Sequence, residues 1–275
     1  MPELPEVETV RRQLAPLLEG ALLEEIVIWE SDKETPKGDQ FSKSLRGRQV
    51  KTIDRRGKLL LWRLDDGSAL LVHLKMTGKL LKRATLPTAE ERHKHDRLAF
   101  IIARGTQRSV LVWNDVRRFG YLKHVTDPAE IERITAEYGR EPLASTAEEL
   151  AEALPRHSSR SIKAVLLDQS SIAGVGNIYA NDGLWEAGID PRRAASSLSR
   201  AESKKLLLAL RMVMERGLIT GGASDNSYVN ALGQKGSYQD EFRVYKRTGK
   251  PCLKCGTKLQ RIVVGGRGSW ICSKC

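Results

Sequence analysis

The sequence has few aromatic residues and few cysteines, and it has no long apolar run. Aromatics make up 5% of its 275 residues, and its four cysteines all lie within the last 24 positions. No apolar run approaches the ~18 residues that a membrane-spanning helix needs, and Met1–Glu6 has neither the basic start nor the apolar stretch of a signal peptide. We therefore expect a cytoplasmic protein without a membrane partner, in a compartment where disulfides are rare.

Acidic residues are absent from the end of the chain. The chain contains 46 Lys+Arg against 34 Asp+Glu, a net charge of +12. Residues 242–275 contain nine basic residues and no Asp or Glu, so this segment carries +9 and the rest of the chain only +3. Positive charge concentrated in this way is typical of a surface that binds phosphate or anionic lipid, and it indicates a polyanionic partner.

The cysteines form two CxxC pairs, Cys252 with Cys255 and Cys272 with Cys275, sixteen residues apart. This spacing is typical of a tetrahedral four-cysteine site, and it predicts one structural Zn2+. Two disulfides are the alternative, but they fit poorly with a reducing compartment.

The residues between the cysteine pairs predict a β-hairpin. Leu259–Val264 is expected as one strand and Ser269–Ile271 as the other, with residues 265–268 as a turn that presents Arg267 at its tip. A guanidinium there suits phosphate, although a solvated turn arginine is the simpler interpretation. A ribbon this small needs its metal to fold.

The rest of the chain divides into a β-rich and a helical part. Apolar spacing predicts an amphipathic helix from about residue 5 to 18, and short strands that follow suggest a sandwich or barrel. The predicted strands are Leu22–Trp29, Gln49–Leu64, Ala69–Met76, Arg97–Ala103 and Val110–Asn114. The predicted helices are Ala147–Leu154, Ser161–Gln169, Asn177–Ala187 and Ser199–Arg216, the last with a capping box. Gly221–Gln239 is glycine-rich and polar, and we expect a mobile loop there.

Several motifs along nearly the whole chain are similar to those of bacterial formamidopyrimidine-DNA glycosylases, the repair enzymes for 8-oxoguanine. They are Met1–Thr9, Arg56–Lys58, His73–Gly78, Asn114–Gly120, Leu167–Tyr179 and the cysteine ribbon. The resemblance implies an α+β fold with three domains. These are an N-terminal β-sandwich with a leading helix (residues 1–135), a helix-two-turn-helix domain with a lesion-capping loop (136–241) and a four-cysteine zinc β-ribbon (242–275).

The resemblance also implies an activity and a partner. The enzyme would excise 8-oxoguanine and formamidopyrimidines opposite cytosine, and then cut the strand by β,δ-elimination as an abasic-site lyase. Its partner would be double-stranded DNA containing oxidised purines or abasic sites. A monomer associated with the nucleoid is expected.

Pro2 has the chemistry of a nucleophile. Removal of Met1, expected before a proline, leaves a secondary α-amine that titrates near pH ~8 and is nucleophilic around neutrality. Its attack on a sugar C1′ gives an iminium, which is an electron sink for β-elimination. Glu3 and Glu6 are close enough in sequence to supply a proton, or they could merely favour the helix N-terminus. By resemblance, Glu3 is the general acid and Glu6 a supporting residue.

Two basic residues complete the catalytic set that the resemblance implies. Lys58 follows Gly57 and precedes an apolar strand, so on the sequence alone it is a lysine at a strand edge. By resemblance, Lys58 assists β-elimination and contacts phosphate. Arg267 is the ribbon arginine tied to δ-elimination and to the phosphates around the lesion.

An enzyme that acts on a base inside a duplex must extrude that base and fill the gap. Met76, Arg117 and Phe119 match the family's intercalating residues: a flexible apolar side chain, an arginine for the orphaned cytosine and an aromatic wedge. Met76 and Phe119 could instead belong to the core. However, Met76 ends an apolar strand and Phe119 precedes Gly120, which favours exposed loop tips.

Asn177 opens a helix after the glycine-rich turn Gly174–Gly176. Its amide and the free N–H groups of a helix start could bind a phosphate, and helix capping is the alternative role. The resemblance adds further contacts to the DNA backbone: His73, His95, Lys163, Tyr245 and Arg261.

Three features depart from the family pattern. Ala223–Tyr228 replaces a loop that in many relatives contains an apolar and a basic residue, Asp182 stands where glutamate is common, and the chain ends at Cys275. The changed loop puts lesion recognition in question, and Asp182 puts a structural hydrogen bond in question. The position of Cys275 puts the order of the last zinc ligand in question.

Two other functions compete with this one. An endonuclease VIII-like enzyme for oxidised pyrimidines belongs to the same superfamily, but Leu4 and Phe119 argue against that branch. A non-catalytic zinc-ribbon protein that binds DNA lesions would bind tightly without cutting. Nicking of abasic-site DNA separates this binder from both enzymes.

Overall fold

The computed structural model describes residues 1–30, 39–154 and 159–275, and these form two compact units. The first unit contains residues 1–135 together with 221–236, and the second contains residues 136–220 together with 237–275. In the described part of the chain, no helix has the length and hydropathy required to cross a membrane.

The first unit begins with helix α1, Leu4–Leu18. Glu3 is its N-cap, and Pro5 stands in the first turn, where the missing N–H costs no helical hydrogen bond. The apolar positions Val7, Val10 and Leu14 are buried in the core of the first unit, as their helical spacing predicts.

Two antiparallel four-stranded sheets form the body of the first unit. Their strands are β1 (Leu22–Ile28), β2 (Val50–Arg56), β3 (Leu59–Leu64), β4 (Ala69–His73), β5 (Gly78–Arg83), β6 (Asp96–Arg104), β7 (Gln107–Asp115) and β8 (Tyr121–Val125). One sheet has the order β1-β6-β7-β5 and the other β2-β3-β4-β8. The rings of Trp62 in β3 and Phe100 in β6 meet with centroids 5.1 Å apart. The predicted sandwich with a leading helix is confirmed.

Some element boundaries differ from those predicted. Gln49–Leu64 is not one strand but the hairpin β2-β3, because Gly57 takes a left-handed conformation (φ +58°) that turns the chain. The strand predicted to reach Met76 ends at His73. Four elements were not predicted, because they are short and interrupted by charged or polar residues: β5, β8, α2 (Asp39–Leu45) and α3 (Pro128–Ala136).

The second unit is helical and ends in a β-ribbon. Its helices are α4 (Ala147–Ala153), α5 (Ile162–Leu167), α6 (Asn177–Ala187) and α7 (Arg200–Ile219), and the ribbon pairs β9 (Gln260–Val264) with β10 (Arg267–Ile271). The predicted bounds of α6 agree with the structure, and the predicted capping box of α7 forms between Ser199 and Glu202.

Asp182 in α6 anchors the segment that leads into the ribbon. Its Oδ1 accepts hydrogen bonds from the N–H groups of Val244 (3.0 Å) and Tyr245 (3.1 Å), and its Oδ2 accepts one from the N–H of Arg243 (3.2 Å). The tyrosine hydroxyl of Tyr238 adds a fourth at 3.2 Å. The shorter aspartate therefore still supports the network that a glutamate could serve.

The glycine-rich loop packs on the first unit. The N–H of Ala231 bonds to Gln13 Oε1 (3.0 Å) in α1, and its carbonyl accepts from the N–H of Lys82 (2.8 Å) in β5. Ala231 and Tyr228 are buried in the core of this unit. Glycine content indicated a mobile loop, but these long-range contacts attach residues 221–236 to α1 and β5.

Gly217 in α7 allows the buried ring of Tyr179 to approach the helix. A methyl group at this position would lie 2.2 Å from Tyr179 Oη, and the ring is stacked on Tyr238 with centroids 5.0 Å apart. Gly217→Ala should therefore lower the free energy of unfolding by about 1–2 kcal/mol, since overpacking outweighs the gain of ~1 kcal/mol in helix propensity. Urea denaturation followed by circular dichroism measures this. The control Met212→Ala removes a side chain that is 44% exposed and should change stability by less than about 0.5 kcal/mol. A Gly217→Ala protein as stable as wild type would contradict the packing argument.

Candidate active site and nucleic-acid interface

The N-terminus of α1 brings three predicted catalytic residues together. Pro2, Glu3 and Glu6 are all buried, with Glu3 3% and Glu6 1% exposed. Glu6 Oε2 accepts a hydrogen bond from the N–H of Glu3 at 2.8 Å, and Glu6 Oε1 accepts one from the N–H of Ala223 at 2.8 Å. The Glu6 carboxylate therefore holds the backbone beside Pro2 and also attaches the glycine-rich loop to it.

Lys58 lies in the β2-β3 turn and faces these carboxylates. It is only 3% exposed. Burial lowers the pKa of its ammonium, and the charges of Glu3 and Glu6 oppose this effect. A buried amine beside carboxylates is suited to proton transfer, because its neutral form is more accessible than that of a solvated lysine.

His73 ends β4 and is nearly buried, at 9% exposed. Its Nδ1 accepts a hydrogen bond from the N–H of Lys75 (2.9 Å), and its ring packs on Tyr121 with centroids 5.5 Å apart. Burial, and then the charges of Lys75 and Lys58, lower its pKa to about 3. The ring is therefore neutral near pH 7, and only Nε2 can donate a hydrogen bond.

Met76, Arg117 and Phe119 converge on one exposed cluster. The guanidinium of Arg117 lies 4.6 Å from the centroid of the Phe119 ring and 3.1 Å from Met76 Sδ. Met76 is 41% exposed and Phe119 is 48% exposed. Large apolar side chains in contact at loop tips are unusual unless they serve a function, so the structure supports loop tips over a core position.

The buried carboxylate of Asp115 connects the two loops that carry this cluster. Its Oδ1 bonds to the hydroxyl of Thr77 and to the N–H of Arg117 (3.2 Å), and its Oδ2 accepts from the N–H of Gly120 (2.8 Å). Asp115 is 1% exposed. It was not among the predicted site residues, although its position in the Asn114–Gly120 motif could have indicated it.

His95 lies near the same loops, half-buried, with Nδ1 3.3 Å from Arg97 Nη2. The Arg97 guanidinium in turn bonds to the carbonyl of Asp115 at 3.1 and 3.2 Å. Partial desolvation, followed by the charge of Arg97, lowers the pKa of His95.

In the second unit, Asn177 starts α6 and contacts the ribbon. Its Nδ2 donates to the carbonyl of Gly268 (3.2 Å), and it is half-buried. Asn181, one turn along α6, accepts a hydrogen bond from the N–H of Trp270 (2.9 Å) through Oδ1. Asn177 is the first residue of the helix and Gly176 is the N-cap, so the alternative role as a capping residue is wrong.

Lys163 lies inside the second unit. It is 0% exposed, and its ammonium donates to the carbonyl of Gly268 (2.7 Å) and to Ser269 Oγ (2.6 Å). The ammonium thus binds β10 to α5 inside the unit, and the expected contact of Lys163 with the DNA backbone stays a prediction. Burial of this kind could not be seen in the sequence.

The ribbon presents arginines on its surface. Gly265 and Gly266 (φ +56° and +73°) form a two-residue turn, and Arg267 pairs with Val264 as the first residue of β10. Arg267 is thus exposed beside the tip and not at it. Arg261 is also exposed, with its guanidinium 5.9 Å from the Trp270 ring centroid, and Tyr245 is half-buried against the same ring.

The four cysteines come together as predicted. Their sulfurs all lie within 4.8 Å of one another, with Cys252–Cys275 at 3.8 Å and Cys255–Cys272 at 3.5 Å. Zn–S bonds of ~2.3 Å in a tetrahedron require sulfurs ~3.8 Å apart, so the donor set and spacing fit one structural Zn2+. Cys275, whose order was in question, lies within the cluster.

Three protein-family models match the chain in sequence order. A formamidopyrimidine-DNA glycosylase N-terminal domain matches residues 1–122, and a formamidopyrimidine-DNA glycosylase H2TH domain matches residues 138–228. A zinc finger found in FPG and IleRS matches residues 249–275.

Individual proteins are similar over the full length. A formamidopyrimidine-DNA glycosylase of Chloroflexus aurantiacus is 40% identical over 100% of this chain and 97% of its own. The enzyme of that name from Geobacillus kaustophilus is 40% identical over 100% of this chain and 99% of its own. Among solved structures, a Lactococcus lactis FPG mutant with Fapy-dG containing DNA has a TM-score of 0.86 at 35% identity, with 98% of both chains covered. A complex of Lactococcus lactis Fpg with abasic-site DNA also has a TM-score of 0.86 at 35% identity, covering 98% of this chain and 97% of that one.

Loss of the metal should unfold the ribbon and leave the rest of the chain folded. Metal binding supplies roughly 10–16 kcal/mol in small zinc domains. The small apolar cluster of the ribbon includes two of the metal-binding residues themselves, Cys252 and Cys272. Cys272→Ala should therefore contain no stoichiometric zinc, and protease should cleave it within residues 249–275. Metal analysis and limited proteolysis measure the two effects, with Ser273→Ala as the control. One zinc per chain in Cys272→Ala would contradict the four-cysteine assignment.

The depressed pKa of His73 should make stability depend on pH. The folded-state pKa is about 3 and the unfolded value is ~6.5, so between these values the unfolded chain binds one more proton. Stability should then fall as the pH decreases through this window, by at most about 1.4 kcal/mol per pH unit. His73→Gln should show a shallower loss between about pH 7 and about pH 4 in urea denaturation. Identical slopes for the variant and wild type would contradict the shift.

Proposed function

Because the chain belongs to the formamidopyrimidine-DNA glycosylase family, it is a DNA-repair glycosylase and abasic-site lyase, and we propose that it acts on oxidised purines through Pro2. The substrates are duplexes with 8-oxoguanine or a formamidopyrimidine opposite cytosine. The arrangement of Pro2, Glu3, Glu6 and Lys58 in one buried site is the observation that carries the proposal.

The reaction begins with the amine of Pro2 once Met1 has been removed. Its nitrogen bonds to C1′ of the damaged nucleotide while the bond from C1′ to the base breaks, and Glu3 supplies the proton that the departing base or the ring oxygen needs. The attached amine then loses its proton, the C1′–O4′ bond breaks as O4′ is protonated, and the product is a ring-opened iminium between Pro2 and C1′. Glu6 does not react but keeps the N–H of Glu3 in place, and so orients the backbone beside the amine.

Strand cleavage follows from the iminium. A base removes a proton from C2′, the electrons move towards the iminium, and the C3′–O bond breaks to release the 3′ phosphate. Lys58 is suited to assist this step, since burial lowers the pKa of its ammonium. A second elimination releases the 5′ phosphate, and water then frees Pro2. We assign Arg267 to the second elimination and to the phosphates.

The exposed cluster of Met76, Arg117 and Phe119 fills the gap that the extruded base leaves. Arg117 can donate to the unpaired cytosine, while Phe119 and Met76 stack within the duplex. Asp115 holds the two loops in a fixed position relative to each other, so the three side chains enter the duplex together. His73 Nε2 and His95 can contact phosphates near these loops.

The second unit supplies further contacts to the DNA backbone. Asn177, Arg261, Arg267 and Tyr245 lie on or against the ribbon and α6, and the +9 charge of residues 242–275 favours phosphate. Lys163 supports this surface, because its ammonium binds β10. A structural zinc bound by the four cysteines maintains this surface and takes no part in the chemistry.

Borohydride trapping tests the nucleophile. Reduction of the iminium should give a covalent complex with 8-oxoguanine or abasic-site duplex, seen as a shifted band on a denaturing gel. A chain with one additional residue ahead of Pro2 should lose trapping, because its proline nitrogen is an amide. Lys58→Gln should still trap but should cleave more slowly. Equal trapping by wild type and the extended chain would overturn the assignment of Pro2.

Substrate preference is tested separately. Excision from an 8-oxoguanine duplex should exceed that from a thymine glycol duplex, and abasic-site DNA should yield β,δ-elimination products. The reverse preference would favour the endonuclease VIII-like alternative. A similar protein, Lactococcus lactis Fpg, has been solved with an oxidised pyrimidine containing DNA, so binding of a lesion does not by itself define the substrate. The excision rates of both lesions are therefore compared under single-turnover conditions. Binding without any scission would favour the non-catalytic alternative.

A further inference from the structure

Glu8 in α1 is a buried carboxylate with three arginine partners. Its oxygens accept hydrogen bonds from Arg11 Nε and Nη2 (both 2.9 Å), Arg12 Nε (2.8 Å) and Arg55 Nε (3.0 Å). Burial by itself raises its pKa, but the hydrogen bonds from Arg11, Arg12 and Arg55 lower the pKa to about 2. Glu8 is therefore ionised at every pH at which the enzyme works.

Arg55 differs from the other two partners because it comes from the sheet and makes a second contact. Its Nη1 donates to the carbonyl of Gly57 at 2.8 Å, while its Nε donates to Glu8 Oε2. The Arg55 side chain is only 11% exposed. The rigid, planar guanidinium thus joins α1 to the turn of the β2-β3 hairpin at a defined separation.

The two ends of this connection carry the reacting groups of the proposed mechanism. α1 has Pro2 and Glu3 at its N-terminus, and Lys58 directly follows Gly57 in the turn. Arg11 adds a weaker link, since its Nη1 donates to the carbonyl of Ile53 in β2 at 3.3 Å. A displacement of the turn along α1 would move Lys58 relative to the amine.

We propose that Arg55 is a positioning residue for the lyase step. By binding both Glu8 and the Gly57 carbonyl, Arg55 sets the distance between the Lys58 ammonium and the start of α1, where the amine and the carboxylates lie. The inference rests on the proposed function, because it assumes that Lys58 assists elimination from a Pro2 iminium. Arg55 is assigned no chemical step, and its role is to fix the geometry of the turn.

The charge state of Lys58 should respond to this geometry. In the described part of the chain, Glu3 and Glu6 from α1 and His73 from β4 are titratable groups that interact electrostatically with Lys58. His73 is neutral near pH 7, so the two carboxylates provide the charge that favours the ammonium form. If the turn moves away from α1, burial still disfavours the charge while the carboxylates oppose it less. The basic group seen in the pH–rate profile should then titrate at a lower pH.

The test uses Arg55→Met in the full-length zinc-loaded enzyme. This substitution keeps much of the packing of the side-chain stem but removes the hydrogen bonds to Glu8 and to the Gly57 carbonyl. With abasic-site duplex under single-turnover conditions, the rate of β-elimination should fall by about 10²-fold, the cost of misplacing a catalytic group by ~1 Å. Borohydride trapping and the Kd for DNA should change much less, by about threefold at most, because the amine and the DNA-binding residues other than Lys58 are untouched. The pH–rate profile should shift to lower pH.

Arg104→Met is the matched control. Like Arg55, Arg104 comes from the sheet and donates Nη1 to a backbone carbonyl, but its acceptor is Pro16 O (2.7 Å), at the opposite end of α1 from Pro2. It should leave the elimination rate and the pH profile unchanged. Arg55→Lys should recover part of the rate, since an ammonium can reach one of the two acceptors but lacks the planar fork.

The outcomes separate this inference from the proposed function. Urea denaturation is measured for each variant, and if Arg55→Met does not fold, Arg55→Lys carries the test with an intermediate rate and a shifted profile as the expected result. A folded Arg55 variant with the wild-type rate and pH profile would overturn the positioning role while wild type still traps and cleaves. Equal losses in trapping, DNA affinity and elimination would also overturn it, because they indicate a general structural defect. Absence of trapping and cleavage by wild type itself would overturn the proposed function and, with it, this inference.

Discussion

The carboxylate of Glu6 accepts hydrogen bonds from the N–H of Glu3, three residues before it, and from the N–H of Ala223, 217 residues after it. The first N–H groups of helix α1 have no partner within the helix, and Pro2, the proposed nucleophile, would otherwise lie on a fraying helix end. Because Glu6 uses both oxygens for backbone donors, the chain at Pro2 is held from two directions. The glycine-rich loop is held by the same carboxylate, and Gly222 has no room for a side chain there, since a Cβ would lie 2.7 Å from Glu6 Cγ.

Burial sets the chemistry of the first unit in different ways for different groups. It lowers the pKa of Lys58 and of His73, because in each case water would stabilise the charged form. Glu8 is equally enclosed but stays ionised, since three arginines donate to it. The lowered pKa of Lys58 makes its amine suited to proton transfer. The ion pair between Glu8 and Arg55 stays charged and keeps the turn of the neighbouring hairpin in place.

In the second unit, buried polar groups attach the ribbon to the helices. Asp182 collects three backbone N–H groups and a hydroxyl from the segment that leads to the ribbon, and Lys163 and Asn181 bind β10. Such groups are costly to bury unless every hydrogen bond is made. Together with the metal, they explain how a short ribbon without a substantial core can present Arg261 and Arg267 at defined positions.

Features that depend on local spacing follow from the sequence. The two CxxC pairs specified the metal site and apolar periodicity specified α1, whereas amine chemistry suggested Pro2, and the roles of Glu3 and Lys58 were expected only from the resemblance to a family. Local periodicity did not reveal short charged elements such as β5 and β8. The burial of Lys163 and the packing of the glycine-rich loop on α1 depend on long-range contacts. The same is true of the contact between Met76 and Arg117, 41 residues apart in the chain, and of the link that Arg55 makes between Glu8 and Gly57. The physical reason is that a side chain's exposure and charge state depend on the groups that surround it, and those groups come from distant parts of the chain.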